Sequence, residues 1–194
     1  MKPNILEDLL HQELRSLYSA EKQTFEALKK MAEAACHPKL REVLIARMED
    51  SGGQVRKLEH IAGLMGKGLE GSRCQGLRQL IADEERESLL NARARSETYD
   101  ASLISSARNC IGYEIERYEL ARMLALRLGL DEVEGLIRAN LAAQKALDGR
   151  LARLAKSLMN HRRVNADRAA SAFRGASVAA MRLLSRSGFS ASGV

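Results

Sequence analysis

The sequence contains no tryptophan, only two prolines and only three phenylalanines among its 194 residues. Scarce proline lets helices run long without a break, and an aromatic content of 4% leaves the core to aliphatic side chains. No apolar run approaches the ~20 residues that a helix needs to cross a bilayer. The opening stretch, MKPNILEDLLHQEL, is amphipathic and acidic, so no secretory signal is expected there. Cys36, Cys74 and Cys110 are odd in number, far apart and without CxxC spacing. They are expected to be buried, reduced, small hydrophobes in a cytoplasmic protein.

What the sequence has in quantity is Ala, Leu, Glu, Lys and Arg, with 45% apolar and 29% charged residues. That composition predicts an all-helical globular fold, and the length allows one domain with an appendage. The charge is unevenly placed. Residues 161–194 carry Arg162, Arg163, Arg168, Arg174, Arg182 and Arg186 against Asp167, a balance of +5. Only +1 of the total +6 is left for residues 1–160. A bundle over 1–160 followed by a basic tail over 161–194 is therefore expected.

Asn4, Glu7 and the residues between them form a capping box that opens a first helix reaching about Cys36. Pro38 starts a second helix, which stops at Gly66. A loop from Gly66 to Gly71 and a second capping box, Ser72 with Gln75, predict a third helix over roughly 73–97. A fourth spans about 100–128 and ends at Gly129, and Asp131 with Glu134 caps a fifth that reaches about 160. Tight turns make hairpins of helices one and two and of helices four and five. The segment Glu21-Lys-Gln-Thr-Phe-Glu26 with Met31-Ala32 is echoed without gaps by Glu114-Ile-Glu-Arg-Tyr-Glu119 with Leu124-Ala125. Two related hairpins joined through a connecting helix predict a ferritin-like four-helix bundle.

Two carboxylates fall on the wrong face. At 100° per residue, Glu21 lies within the stripe of Leu10, Leu14, Leu17, Leu28 and Met31, and Glu114 at the centre of that of Leu103, Ala107, Cys110, Ala121 and Ala125. On the second helix the stripe of Leu40, Leu44, Ser51, Val55, Leu58 and Ala62 includes Arg47 and Gln54, with Asp50 at its edge. On the fifth, Asn140 and Gln144 interrupt an apolar face, and Asp148 follows one turn on. A buried charge requires a partner. Two readings stand side by side. Glu21, Asp50, Glu114, Gln144 and Asp148 have the placement of a di-metal carboxylate site, whose oxygens suit iron or manganese. Alternatively, Arg47 neutralises Glu21 or Glu114, and Gln54, Asn140 and Gln144 complete a buried polar network. No Glu-x-x-His motif exists, and His11, His37, His60 and His161 are expected on the surface or in loops.

In these segments the chain resembles the YciE/YciF family of bacterial stress-associated ferritin-like proteins. The likeness rests on Leu17-Tyr-Ser-Ala-Glu-Lys-Gln23, Lys30-Met-Ala-Glu-Ala-Ala35, Gln54-Val-Arg-Lys-Leu-Glu59 and Tyr113-Glu-Ile115 with Tyr118, continuing to Leu154-Ala155. It implies a ferritin-like bundle, dimers and a di-iron site, with Glu21, Asp50, Glu114, Gln144 and Asp148 as its ligand positions. The chain departs from the family where that chemistry belongs. It has Arg47-Met-Glu-Asp-Ser51 in place of His-Leu-Glu-Glu-Thr, Ile111-Gly-Tyr-Glu114 in place of Glu-His-Tyr-Glu, and Ala142-Ala-Gln144 where the family has glutamates. Either no metal or weakly bound iron or manganese is expected, which argues against ferroxidase or peroxidase catalysis. From Asn165 to Ser185 the tail sets Ala166, Ala169, Phe173, Ala176, Ala180 and Leu184 on one side and arginines elsewhere. Packing on the bundle or a dimer mate is one use of it. Contact with an acidic partner, nucleic acid or an anionic membrane surface is another.

Overall fold

The computed structural model describes residues 5–71, 74–91 and 97–186, with side chains at 5–71, 74–86 and 99–159. Five helices follow in order: α1 (Ile5–Ala34), α2 (Pro38–Met65), α3 (Gln75–Asn91), α4 (Glu97–Arg127) and α5 (Asp131–Arg186). The described residues contain no strand. Met1–Ala155 forms one compact unit and Lys156–Val194 a second. The fold is all-α and ferritin-like: α1 pairs with α2, α4 pairs with α5, and α3 lies in the connection.

The turns follow from local chemistry. Pro38 occupies the first turn of α2, and the His37 ring caps it by accepting the Lys39 N–H at 3.2 Å. Gly66 ends that helix at φ +62°, where Lys67 N–H bonds the Ala62 carbonyl at 3.1 Å. Gly129 does the same for α4 at φ +69°, with Leu130 N–H on the Ala125 carbonyl at 3.0 Å. The capping residues Asn4 and Ser72 lie outside the described residues.

One side chain not singled out by periodicity fixes the first hairpin. Asp100, 1% exposed at the start of α4, accepts the backbone N–H groups of Cys36 and His37, each at 2.8 Å. These donors sit in the α1–α2 turn and have no helical partner. Asp100→Ala strands both, and we expect a loss of about 2–3 kcal/mol in urea unfolding. A change under about 0.5 kcal/mol would show that solvent serves these donors equally well.

The core is aliphatic. Leu10, Leu14 and Leu17 of α1 meet Leu58 and Ile61 of α2, Ala121 and Ala125 of α4, and Ile137 and Leu141 of α5. A smaller cluster, Ala20, Cys74, Leu77 and Cys110, seats α3 against α1 and α4. Several expectations shift. On α2 the buried line runs through Arg47, Gln54 and Ile61, whereas Val55 and Ala62 are only half-buried. Cys74 and Cys110 are buried but Cys36 is exposed, because it falls in the turn beyond α1. The fifth helix does not stop near 160. It continues to Arg186: no proline follows Pro38, and no glycine between Gly149 and Gly175 weakens it near 160.

Candidate functional site: a buried carboxylate pair bridged by arginine

At mid-bundle, α1, α2, α4 and α5 each turn polar side chains inward. Glu21 and Glu114 are fully buried, and Arg47 is 3% exposed. Tyr118 and Thr24 lie one turn from Glu114 and Glu21 respectively, and a helix brings residues three and four apart onto one face. Both are fully buried here.

The Arg47 guanidinium donates through Nη2 to Glu21 Oε2 at 2.7 Å, and the same nitrogen stands 3.7 Å from Glu114 Oε2. Its Nη1 donates to Ser51 Oγ at 2.6 Å. Glu21 Oε1 accepts the Tyr118 hydroxyl at 2.8 Å. Gln144 Nε2 lies 2.6 Å from Glu114 Oε2 and 3.1 Å from both Glu21 Oε1 and Gln54 Oε1. An amide nitrogen has two hydrogens, so it serves two of these acceptors at a time. Asn140 Nδ2 donates to the Gln54 carbonyl at 3.1 Å and to the Tyr118 oxygen at 3.2 Å. Each helix of the bundle thus contributes at least one bond to the same group.

The charge count is one guanidinium for two carboxyls. Burial and then the adjacent Glu21 charge raise Glu114 to about 8, against the lowering effects of Arg47 and of the Thr24 and Gln144 hydrogen bonds. At neutral pH Glu114 is mainly the uncharged acid, leaving Arg47 and Glu21 as a neutral buried pair. Burial works against the charge on Arg47, yet Glu21 and Glu114 more than offset it and its pKa is raised. Tyr118 is pushed well above the ordinary phenol value by burial, Glu21 and Glu114, so it stays a donor. Glu114 Oε1 and Thr24 Oγ1, adjacent on α4 and α1, have no hydrogen bond of regular geometry.

Of the five ligand positions drawn from the sequence, three converge. Glu21, Glu114 and Gln144 are in hydrogen-bonding range of one another's shell. Asp50 is exposed at the α2 surface. Asp148 is held outside by Arg108 of α4 in a two-point ion pair of 2.6 and 3.1 Å. Asp83 likewise faces outward, bonded to Gln79 and Arg86. Among the histidines, His37 caps α2, and His11 donates to the Gly68 carbonyl at 2.7 Å if its Nε2 carries the proton. His60 is exposed, and the side chain of His161 lies outside those described.

A ferritin-like bundle implies a carboxylate-bound metal pair at this depth. The residues present do not fit one. Both oxygens of Glu21 are engaged by protein donors, and a fixed cation already stands between the two carboxyls. Among the described residues no group of three His, Cys, Asp or Glu is placed to hold a metal ion.

Comparison with known proteins agrees with the architecture. A family model described as a domain of unknown function, DUF892, matches residues 5–163. The chain is 30% identical over 166 residues to Protein YciF of Escherichia coli K12, covering 85% of this chain and 99% of that one. The crystal structure of the E. coli stress protein YciF superposes with a TM-score of 0.74 at 31% identity, over 82% of this chain and 99% of that one. A ferritin-like diiron-carboxylate protein from Bacillus anthracis reaches a TM-score of 0.61 at 15% identity over 79% of this chain and 99% of that one, a likeness of fold alone. With its core helices and 159 consecutive positions matched, the chain belongs to the DUF892 family, of which E. coli YciF is a relative.

Proposed function

We propose that this chain is a non-catalytic ferritin-like protein whose buried polar group is structural and which works through assembly or partner binding. One observation carries the reading: the Arg47 guanidinium takes the cation's place between Glu21 and Glu114, 2.7 and 3.7 Å from their oxygens. A divalent ion entering there would meet a fixed positive charge and lose ligand oxygens already committed to Tyr118 and Gln144. A cavity lined by Arg47 and Gln54 has a volume of about 50 Å³, room for water but not for an organic substrate. That relatives include a protein named for stress supports a role in stress physiology.

The test is metal content per chain after expression with iron and manganese, read by mass spectrometry. We expect well under about 0.1 ion per chain, because Arg47 stands between the two carboxyls and Glu114 holds its proton at neutral pH, which leaves no adequate ligand set. A value near two ions per chain overturns the reading in favour of an iron- or manganese-handling protein, and oxygen turnover then becomes the relevant assay.

A further inference from the structure

The family match ends at residue 163, and the sequence beyond it holds four of the six tail arginines. The surface offers a place for such a segment. Where α4 turns into α5, a hollow of about 450 Å³ is lined by Leu64, Met65, Leu130 and Val133 together with Glu7, Asp131 and Glu132. Leu64 is 44% exposed, and Ile5, two residues from Glu7, is 77% exposed. Glu7 is paired with Lys67 at 3.1 Å, while Asp131 and Glu132 have no ion-pair partner among the described residues. The dipole of α5 accounts for acids in its first turn. It does not account for the apolar residues that line the hollow with them.

A hollow lined by apolar and acidic residues suits a basic amphipathic helix. The chain itself supplies one. Its sequence sets Phe173, Ala176, Ala180 and Leu184 at helical spacing with Arg174 and Arg182 between them, and the backbone is helical to Arg186. We propose that the arginine-rich end of α5 from one copy docks in the α4–α5 hollow of another copy. The helix is continuous from Asp131 to Arg186, and the occupant is therefore taken from a second molecule. Two different surfaces meet in this contact. It is therefore head-to-tail, and it closes into a ring or continues as a chain of subunits. The contact names a partner for the assembly reading above and rests on that reading, but not on the state of the core. A protein that loads metal and still assembles this way keeps the contact and loses the earlier conclusion.

The experiment is sedimentation velocity of the full-length, nuclease-treated protein over a range of concentrations at low and at 0.5 M salt. The wild type is expected to associate as concentration rises, and to dissociate in high salt. Two variants test the two halves, Leu64→Lys with Glu132→Lys in the hollow and Arg168→Glu with Arg174→Glu and Arg182→Glu in the tail. Each alone is expected to weaken association more than about tenfold while the circular dichroism is unchanged. Mixed one to one, they are expected to form pairs and to stop there, because the tail variant keeps only the hollow and the hollow variant keeps only the tail. The proposal fails if the wild type does not associate, if the hollow variant associates like the wild type, or if nuclease treatment alone abolishes association. The last outcome would assign the arginines to nucleic acid.

Discussion

Arg47→Met is expected to cost ~3–5 kcal/mol at pH 7, a fall in melting temperature on the order of 10 °C. Methionine fills much of the volume, so the loss is not chiefly one of packing. It comes from leaving Glu21 fully buried without the cation 2.7 Å away, beside a second carboxyl at Glu114. The remaining Tyr118 and Gln144 donors soften the loss but carry no charge. Arg47→Met combined with Glu21→Gln removes both members of the ion pair and is expected to recover a large part of the deficit. Arg47→Lys should fall between, since it keeps the charge but cannot reach Glu21 and Ser51 together as the guanidinium does. Urea titration of the four proteins decides the matter. If Arg47→Met unfolds with the wild type, or if the double variant is no better than the single, the arginine is not what holds the carboxyl pair in the core.

Glu114→Gln is expected to stabilise the protein at pH 8. In the native state Glu114 titrates at about 8, against an ordinary value of 4.5. Between those limits the folded chain binds a proton that the unfolded chain releases. Stability therefore falls as pH rises from about 4.5 towards 8, with a slope on the order of 1 kcal/mol per pH unit, and is level beyond. Glutamine mimics the protonated acid and cannot ionise. The variant should match the wild type near pH 5 and exceed it by a few kcal/mol, roughly, at pH 8. The difference between the two proteins isolates this group from the other carboxyls, whose titration is common to both. A wild-type advantage at every pH, or a pH-independent difference, would place the proton elsewhere in the network. These core experiments are independent of association through the tail.

The two expectations also separate what a buried polar group does for stability from what it does for specificity. One arginine, two carboxyls, a tyrosine and three carboxamide side chains bind all four bundle helices at one level. An apolar layer of the same volume would satisfy the core as well, and in some proteins better. What the polar layer adds is register. Glu21 can meet Arg47, Tyr118 and Gln144 in only one alignment of the helices.

Much of this was legible in the order of residues. The four predicted hairpin helices, the connecting helix and the turns at Pro38, Gly66 and Gly129 follow from periodicity and from backbone chemistry that acts over a few positions. The gapless echo between the segments at Glu21 and Glu114 pointed to two related hairpins; that the two carboxyls meet, across Arg47 and Gln144, is decided by the structure. Periodicity also put Arg47, Gln54, Asn140 and Gln144 on inward faces.

What it left open was which reading of those residues holds. Asp50 and Asp148 sit at the margin of a helical stripe, where a rotation of a few tens of degrees separates core from surface, and only packing chose the surface for Asp50 and Arg108 for Asp148. Asp100 could not be assigned a role, because its two donors lie in a turn more than sixty positions away in the chain. The end of α5 was misplaced, since the change in composition near 160 alters charge without supplying a residue that stops a helix. The helices and the inward carboxyls were set by local sequence, whose effect reaches about one turn. The arginine bridge depends on four helices meeting at one level, and only the tertiary structure decided it.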